Sequence, residues 1–276
     1  MKIEIKRIVK VLIWLLKLVA GFVGFMLFYG MGQFLLSEVS HSLAMSLVLP
    51  VLVSALMLLC YAGLRRWVEK VWPSDVSCRV LLPHTLAGMG MGIGYFIVVV
   101  TVMAVCGVYA IGSVEAPGTA FASMLGQYLM VAVGEEVLFR GIMYRMIDTF
   151  IGTKTALLVS ALFFGLAHYP QGTLWSSIAI ALEAGLLLAA AYRYTGTLWL
   201  PIGIHWTWNL VQGNVFGFQV SGTESGPSII TPVIDGPEIL TGGVFGAEAS
   251  VIAVVVGAAV AVYLLNNRKK IQTENQ

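Results

Sequence analysis

The chain has 276 residues, of which 58% are hydrophobic and 11% charged, with a net charge of +2 and a mean hydropathy of +0.88. Soluble domains carry roughly 25% charged residues, so this composition excludes a soluble globule and predicts an all-α, polytopic membrane protein. The net charge is too small to suggest a nucleic-acid partner. Cys60, Cys78 and Cys106 lack metal-ligand spacing and read as unpaired packing or loop residues. The length fits a single membrane domain over residues 1–276.

Apolar runs near the 20 or so residues that cross a bilayer are predicted in order. After the basic start MKIEIKRIVK, a first helix runs from about Val11 to Leu36. It exceeds the roughly 7–15 residues of a signal-peptide core and reads as a retained helix. The second, Leu43 to Leu64, contains Pro50, which removes a backbone donor and predicts a kink. The polar segment RRWVEKVWPSDVSCR follows. The third runs from His84 to Ile111, and its Gly88, Gly90, Gly92 and Gly94 would let a neighbouring backbone come close. The fourth covers Ala120 to Asp148, the fifth Lys154 to His168, the sixth Leu174 to Tyr194 and the seventh Leu198 to Gln212. A glycine-rich connection, Gly213 to Ala247, precedes the last helix, Ala249 to Leu265. It reads either as a lid or re-entrant segment over a site, or as a solvated loop.

About eight spanning helices in one bundle around a polar cavity are therefore predicted. Every lysine and arginine cluster outside the spans then falls on one side: the N-terminal Lys2, Lys6, Arg7 and Lys10, then Arg65 to Arg79, Arg145 and Lys154, Arg193, and Arg268 to Lys270. The positive-inside rule makes both termini cytoplasmic. Trp175, Trp199, Trp206 and Trp208 lie near predicted interfaces or beside His205, and interfacial anchoring accounts for most of them.

The stretch VAVGEEVLFRGIMYR places Glu135, Glu136 and Arg140 within an apolar run. A charge at bilayer depth costs roughly 2.5–3.5 kcal/mol, so it stays there only when paired or functional. Glu136 and Arg140 are four apart and can pair on one helical face. Glu135 is turned about 100° away and is left unmatched within its helix. Two histidines lie on other apolar helices: His168 ends FFGLAH, and His205 precedes Asn209 by four within HWTWN. His41 and His84 read as interfacial residues, and Glu183 as a structural carboxylate facing the same cavity or paired with Arg140 or Arg145.

Two chemistries suit Glu135, His168, His205 and Asn209. In one, Glu135 takes a proton from water, a histidine orients that water, and a second histidine and the asparagine amide donate to the oxyanion. In the other, Glu135, His168 and His205 hold zinc or another divalent metal and leave a position for water. The signatures HExxH and GxSxG are absent.

EEVLFR (Glu135 to Arg140), FGLAH (Phe164 to His168) and HWTWN (His205 to Asn209), in that order and each in an apolar span, resemble the membrane-protease family of CAAX prenyl endopeptidases and bacteriocin-processing or bacteriocin-immunity proteins. The flanking words YRYTGTLWLPIGIH and VSG…TGGVFGAE are similar to its bacterial branch, and the resemblance covers about 120–248. It implies an intramembrane endopeptidase in which Glu135 and His168 activate water, His205 and Asn209 bind the oxyanion, and Glu136 and Arg140 support the glutamate helix. The family is often labelled as metalloproteases, so zinc stays open. The implied setting is a bacterial cytoplasmic membrane, and the implied partners are the lipid bilayer and a membrane-associated peptide or protein substrate, without nucleic acid. Two other functions compete: a non-catalytic bacteriocin-immunity or scaffold protein that binds a peptide, and a small transporter with a proton relay. The transporter reading lacks an internal repeat.

Overall fold

The computed structural model describes residues 43–267 apart from 117, together with positions scattered between 12 and 34. The described positions of that early stretch are helical, where the first helix was predicted. The N-terminal basic residues, His41, and Arg268 to Lys270 lie outside the described residues, and with them the ends on which the predicted orientation rests.

The protein is a helical integral membrane protein. Among the described residues, three stretches are long and apolar enough to cross a membrane: Leu43–Arg66, Ser74–Val105 and Leu174–Thr195. Their outward faces carry exposed Leu52, Leu59, Leu82, Leu86 and Ile97, among others, as lipid contact requires. Helix α1 (Leu43–Glu69) runs through Pro50. Two 3-10 turns (Ser74–Val76 and Cys78–Val80) lead into α2 (Leu81–Val105).

The third predicted helix was drawn too long. Gly107 takes φ +75°, and the Val108 and Gly107 amides donate back to Met103 and Ala104, a glycine-terminated helix end. The apolar run continues as strand β1 (Tyr109–Val114), not helix. Its partner β2 (Ile230–Ile234) comes from the connection read as a lid, a re-entrant segment or a solvated loop, and the two pair antiparallel.

α3 (Thr119–Glu136), a π-helical segment (Val137–Tyr144) and α4 (Arg145–Phe150) form one continuous run. Next come α5 (Thr153–Ala167) and α6 (Leu174–Ile180), a second π segment (Ala181–Gly185), and α7 (Leu186–Thr195). α8 (Trp199–Leu210) passes into a third π segment (Val211–Val215). After β2, α9 (Glu238–Thr241) and two 3-10 turns (Gly243–Phe245 and Ala247–Ala249) lead to α10 (Val251–Asn266). π turns carry an extra residue and gather at functional sites. Here the three contain Arg140, Glu183 and Gln212, all fully buried.

α2 packs chiefly on α8, at backbone distance. A Cβ on Gly88 would lie 2.3 Å from the Leu200 carbonyl, and one on Gly203 2.4 Å from that of Thr85. Gly92 is similarly close to Ile204, whereas Gly90 and Gly94 meet nothing. Of the four glycines predicted to make a close face, the i, i+4 pair makes it. This contact fixes the depth of α8 and so of His205.

Trp199 and Trp208 are buried, not in an interfacial belt. Their indole N–H groups donate to Ser77 O and Gln212 Oε1. Membrane anchoring is therefore not their role. Cys60, Cys78 and Cys106 are free thiols.

Candidate active site

Glu135 and Glu136 are the last residues of α3, and the helix turns them to different surroundings. Glu136 is fully buried, and Arg140 Nη1 donates to its Oε1 at 2.8 Å. The guanidinium also donates to Gly185 O at 3.1 Å and Ala184 O at 3.4 Å, and its Cζ lies 4.6 Å from the centre of the Phe164 ring. Arg140 thus ties the glutamate helix to the second π segment and to the helix that carries His168. The same Glu136 Oε1 accepts from His205 Nδ1 at 3.0 Å. Glu136 therefore holds one histidine as well as the arginine, which helix spacing alone does not reveal.

Glu135 is the more open of the two, with 21% of its side chain exposed. Its Oε2 is buried and accepts no hydrogen bond among the described residues. It lies 3.9 Å from His168 Nε2 and 3.9 Å from His205 Nε2.

Histidine chemistry follows from the anchors on the opposite ring nitrogens. His168 caps α5, and its Nδ1 is 2.8 Å from Phe164 O, a carbonyl that can only accept. His205 Nδ1 faces the carboxylate paired with Arg140, also an acceptor. Both Nδ1 atoms must therefore carry a hydrogen, and a neutral ring presents a lone pair at Nε2. Two lone pairs and a carboxylate oxygen point into one space. A water about 2.8 Å away can donate its two hydrogens to Glu135 Oε2 and to one imidazole, while the other ring, as an imidazolium, donates to the water oxygen. The Phe164 ring contacts both imidazoles, at centroid distances of 4.8 and 6.1 Å, and fixes their orientation.

Asn209 is buried one turn beyond His205, and its side chain makes no hydrogen bond among the described residues, so its amide is available to a ligand. His84 stands apart, bonded to Thr197 Oγ1 at 2.8 Å. Glu183 pairs with neither arginine. It takes the hydroxyl of Tyr95, while Arg145 pairs with Glu69 at 2.6 Å. Arginine at Arg140 was already held by Glu136, which leaves Glu183 to a neutral donor.

Among the described residues, no group of three or more His, Cys, Asp or Glu side chains could hold a metal ion. Two ligands about 2.1 Å from one tetrahedral ion lie about 3.4 Å apart, closer than the 3.9 Å separations here. As arranged, Glu135, His168 and His205 do not fit a divalent metal.

One buried carboxylate near the site escaped sequence reasoning. Glu248, from the turn before α10, is buried and accepts from the Ser221 amide. Burial pushes its carboxyl above the ordinary range, while the Ser221 bonds and the nearby His168 and His205 pull it down. No helical spacing marks it, because it lies in an irregular turn. The phrase TGGVFGAE was its only signal.

Residues 117–211 match the family model described as type II CAAX prenyl endopeptidase Rce1-like. The match shows the resemblance carried by the three motifs, and it includes Glu135, Glu136, Arg140, His168, His205 and Asn209. It stops short of Glu248. No curated protein matches the chain. The matched family is one of proteases and supports a hydrolase of the CAAX type.

Proposed function

We propose that the protein is an intramembrane endopeptidase that hydrolyses peptide bonds of a membrane-associated protein or peptide with a water activated by Glu135. The observation that carries this reading is the convergence of two imidazole Nε2 atoms on an unpartnered Glu135 oxygen. A carboxylate held for structure alone would be met by donors, as Glu136 Oε1 is by Arg140 and His205.

In this reading, His168 Nε2 accepts one hydrogen of the water and orients it. Glu135 takes the other proton as the water oxygen bonds to the scissile carbonyl carbon. The carbonyl oxygen becomes an oxyanion. The Asn209 amide donates to it, and so does His205 Nε2, which enters the step as an imidazolium already carrying a proton taken from solvent, because its Nδ1 hydrogen is engaged by Glu136. As the C–N bond breaks, Glu135 returns its proton to the leaving nitrogen, and an amine and a carboxylic acid leave. Glu136 and Arg140 position the helix and the His205 ring. The segregation of basic residues supports both termini on the cytoplasmic side of a bacterial membrane.

The test is cleavage of a quenched membrane-peptide library by detergent-purified protein, wild type beside Glu135→Gln, with and without a strong chelator. The expected result is a loss of about 10²–10⁴-fold in the variant, with no effect of chelator. Cleavage retained by Glu135→Gln overturns the glutamate-activated water. Cleavage lost to chelator and restored by zinc replaces it with a metal centre. No cleavage by the wild type transfers the site to the peptide-binding reading.

A further inference from the structure

We propose that Glu248 is a positioning residue for the His168–His205 pair, delivered into the site by the strap between α8 and α10. The inference rests on the hydrolytic reading for its consequence in catalysis, but its geometry stands apart from that reading.

The strap is not a solvated loop. Phe218, Val220 and Phe245 are buried. Its turns close on the two segments that carry the site. The Gly222 amide donates to Phe245 O at 2.9 Å, and a Cβ on Gly222 would lie 2.3 Å from Gln171 O, three residues after His168. Gln212, three residues after Asn209, donates to Gln219 O at 2.6 Å. A Cβ on Gly246 would lie 2.1 Å from that same carbonyl. Gly222 and Gly246, at φ +74° and +110°, occupy conformations that side chains rarely adopt. Ser221 has φ +51° without being glycine. Such local strain persists where surrounding contacts impose it. Here it aims the Ser221 amide at Glu248 Oε1.

The result is a buried carboxylate on a strap seated against the residues that follow His168 and Asn209, and it couples electrostatically to both imidazoles. The other titratable groups it faces are Glu183, Tyr95 and Tyr128, none of which is a cation. His168 and His205 are the groups coupled to it, among the described residues, that can carry a positive charge. Electrostatic influence is mutual. If His168 and His205 favour an ionised Glu248, an ionised Glu248 favours the imidazolium that His205 needs when it donates to an oxyanion. The strap lies beyond the matched residues 117–211, so this chain supplies the group from outside the three-motif core.

Glu248→Gln keeps the shape and the Ser221 bond but removes the charge. The expected result is a kcat about 10- to 100-fold lower, the range for losing an outer partner of a functional histidine, with KM nearly unchanged and partial recovery in Glu248→Asp. In protein labelled at its histidines, the imidazole resonances of His168 or His205 shift in Glu248→Gln at one fixed pH. Melting in the same detergent shows whether each variant is folded. Unshifted resonances in a folded variant overturn the proposal, whether or not peptide is cleaved. Shifted resonances in a protein that cleaves nothing keep the positioning role and sink the hydrolytic reading alone. A variant that raises KM and leaves kcat intact also overturns it, because the strap would then only bind substrate.

Discussion

Two clusters of buried charge sit on the same continuous helix run, and they are built to opposite rules. Around Arg145, each carboxylate is saturated. Glu69 accepts two bonds from Arg145, at 2.6 and 2.9 Å, and one from Arg65 at 3.2 Å. Asp75 accepts from Arg65 at 2.8 Å, from the Tyr61 hydroxyl at 2.6 Å and from Tyr192 at 3.1 Å. Around Glu135, by contrast, Glu135 Oε2 and Glu136 Oε2 accept nothing among the described residues. An unmet buried acceptor costs about 1–3 kcal/mol. A saturated cluster holds helices together, and an unsaturated one keeps capacity for a ligand and a proton. The first joins α1, the turn at Ser74–Val76 and α7 to the helix run, and so sets the frame in which the second is left incomplete.

Several changes break or sharpen that contrast. The largest effect on folding is expected inside the candidate site, at its buried ion pair. Arg140→Met leaves Glu136 buried without a cation, a loss of about 3–5 kcal/mol readable as a lower melting temperature in detergent. Adding Glu136→Gln to it recovers much of that loss, and a double variant no more stable than the single would show that Arg140 acts through its carbonyl and ring contacts instead. Asn209→Ala removes only a free donor. Melting is expected to stay unchanged while cleavage falls about 10²–10³-fold, and equal losses of both would make Asn209 structural. In the saturated cluster, Tyr61→Phe strips a donor from Asp75 and a contact 3.0 Å from Gly141 O. It should cost about 1–3 kcal/mol of stability with little change in the kcat of the folded fraction. A selective fall in kcat would mean that this cluster also tunes the site.

The smallest effect concerns pH. Burial raises the Glu248 carboxyl above its unfolded value, so the folded state binds its proton more tightly. The stability from that proton is complete below the unfolded value and is lost as pH rises through the raised one. Wild-type melting should therefore decline over that rise, and Glu248→Gln should flatten the decline. An unchanged slope in the variant would assign the pH dependence elsewhere.

What could be read in advance follows the range of each interaction. The Glu136–Arg140 contact spans one helical turn, and Gly88 with Gly92 spans another, so residue spacing announces both. Apolar length announced most helices, although it carried the third past Gly107, where a left-handed glycine ends the helix and the apolar residues become strand β1. Trp199 and Trp208 resembled membrane anchors because composition does not say which side of a helix faces the bundle. An arginine partner was one of two readings of Glu183 because charge complementarity is visible in a sequence, whereas the Tyr95 hydroxyl that meets it lies 88 residues away.

By itself, the sequence determined the medium, the helical class, the residues with chemistry to offer and the resemblance shown over residues 117–211. These depend on side-chain type and on contacts within about one turn. Only the tertiary structure decided that one Glu136 oxygen serves both Arg140 and His205, that two Nε2 atoms converge on Glu135, and that an irregular strap buries Glu248 near them. Each of those joins groups from different helices or turns. Such contacts are set by how closely glycines let backbones approach and where π segments add a residue, and neither is written in any local pattern.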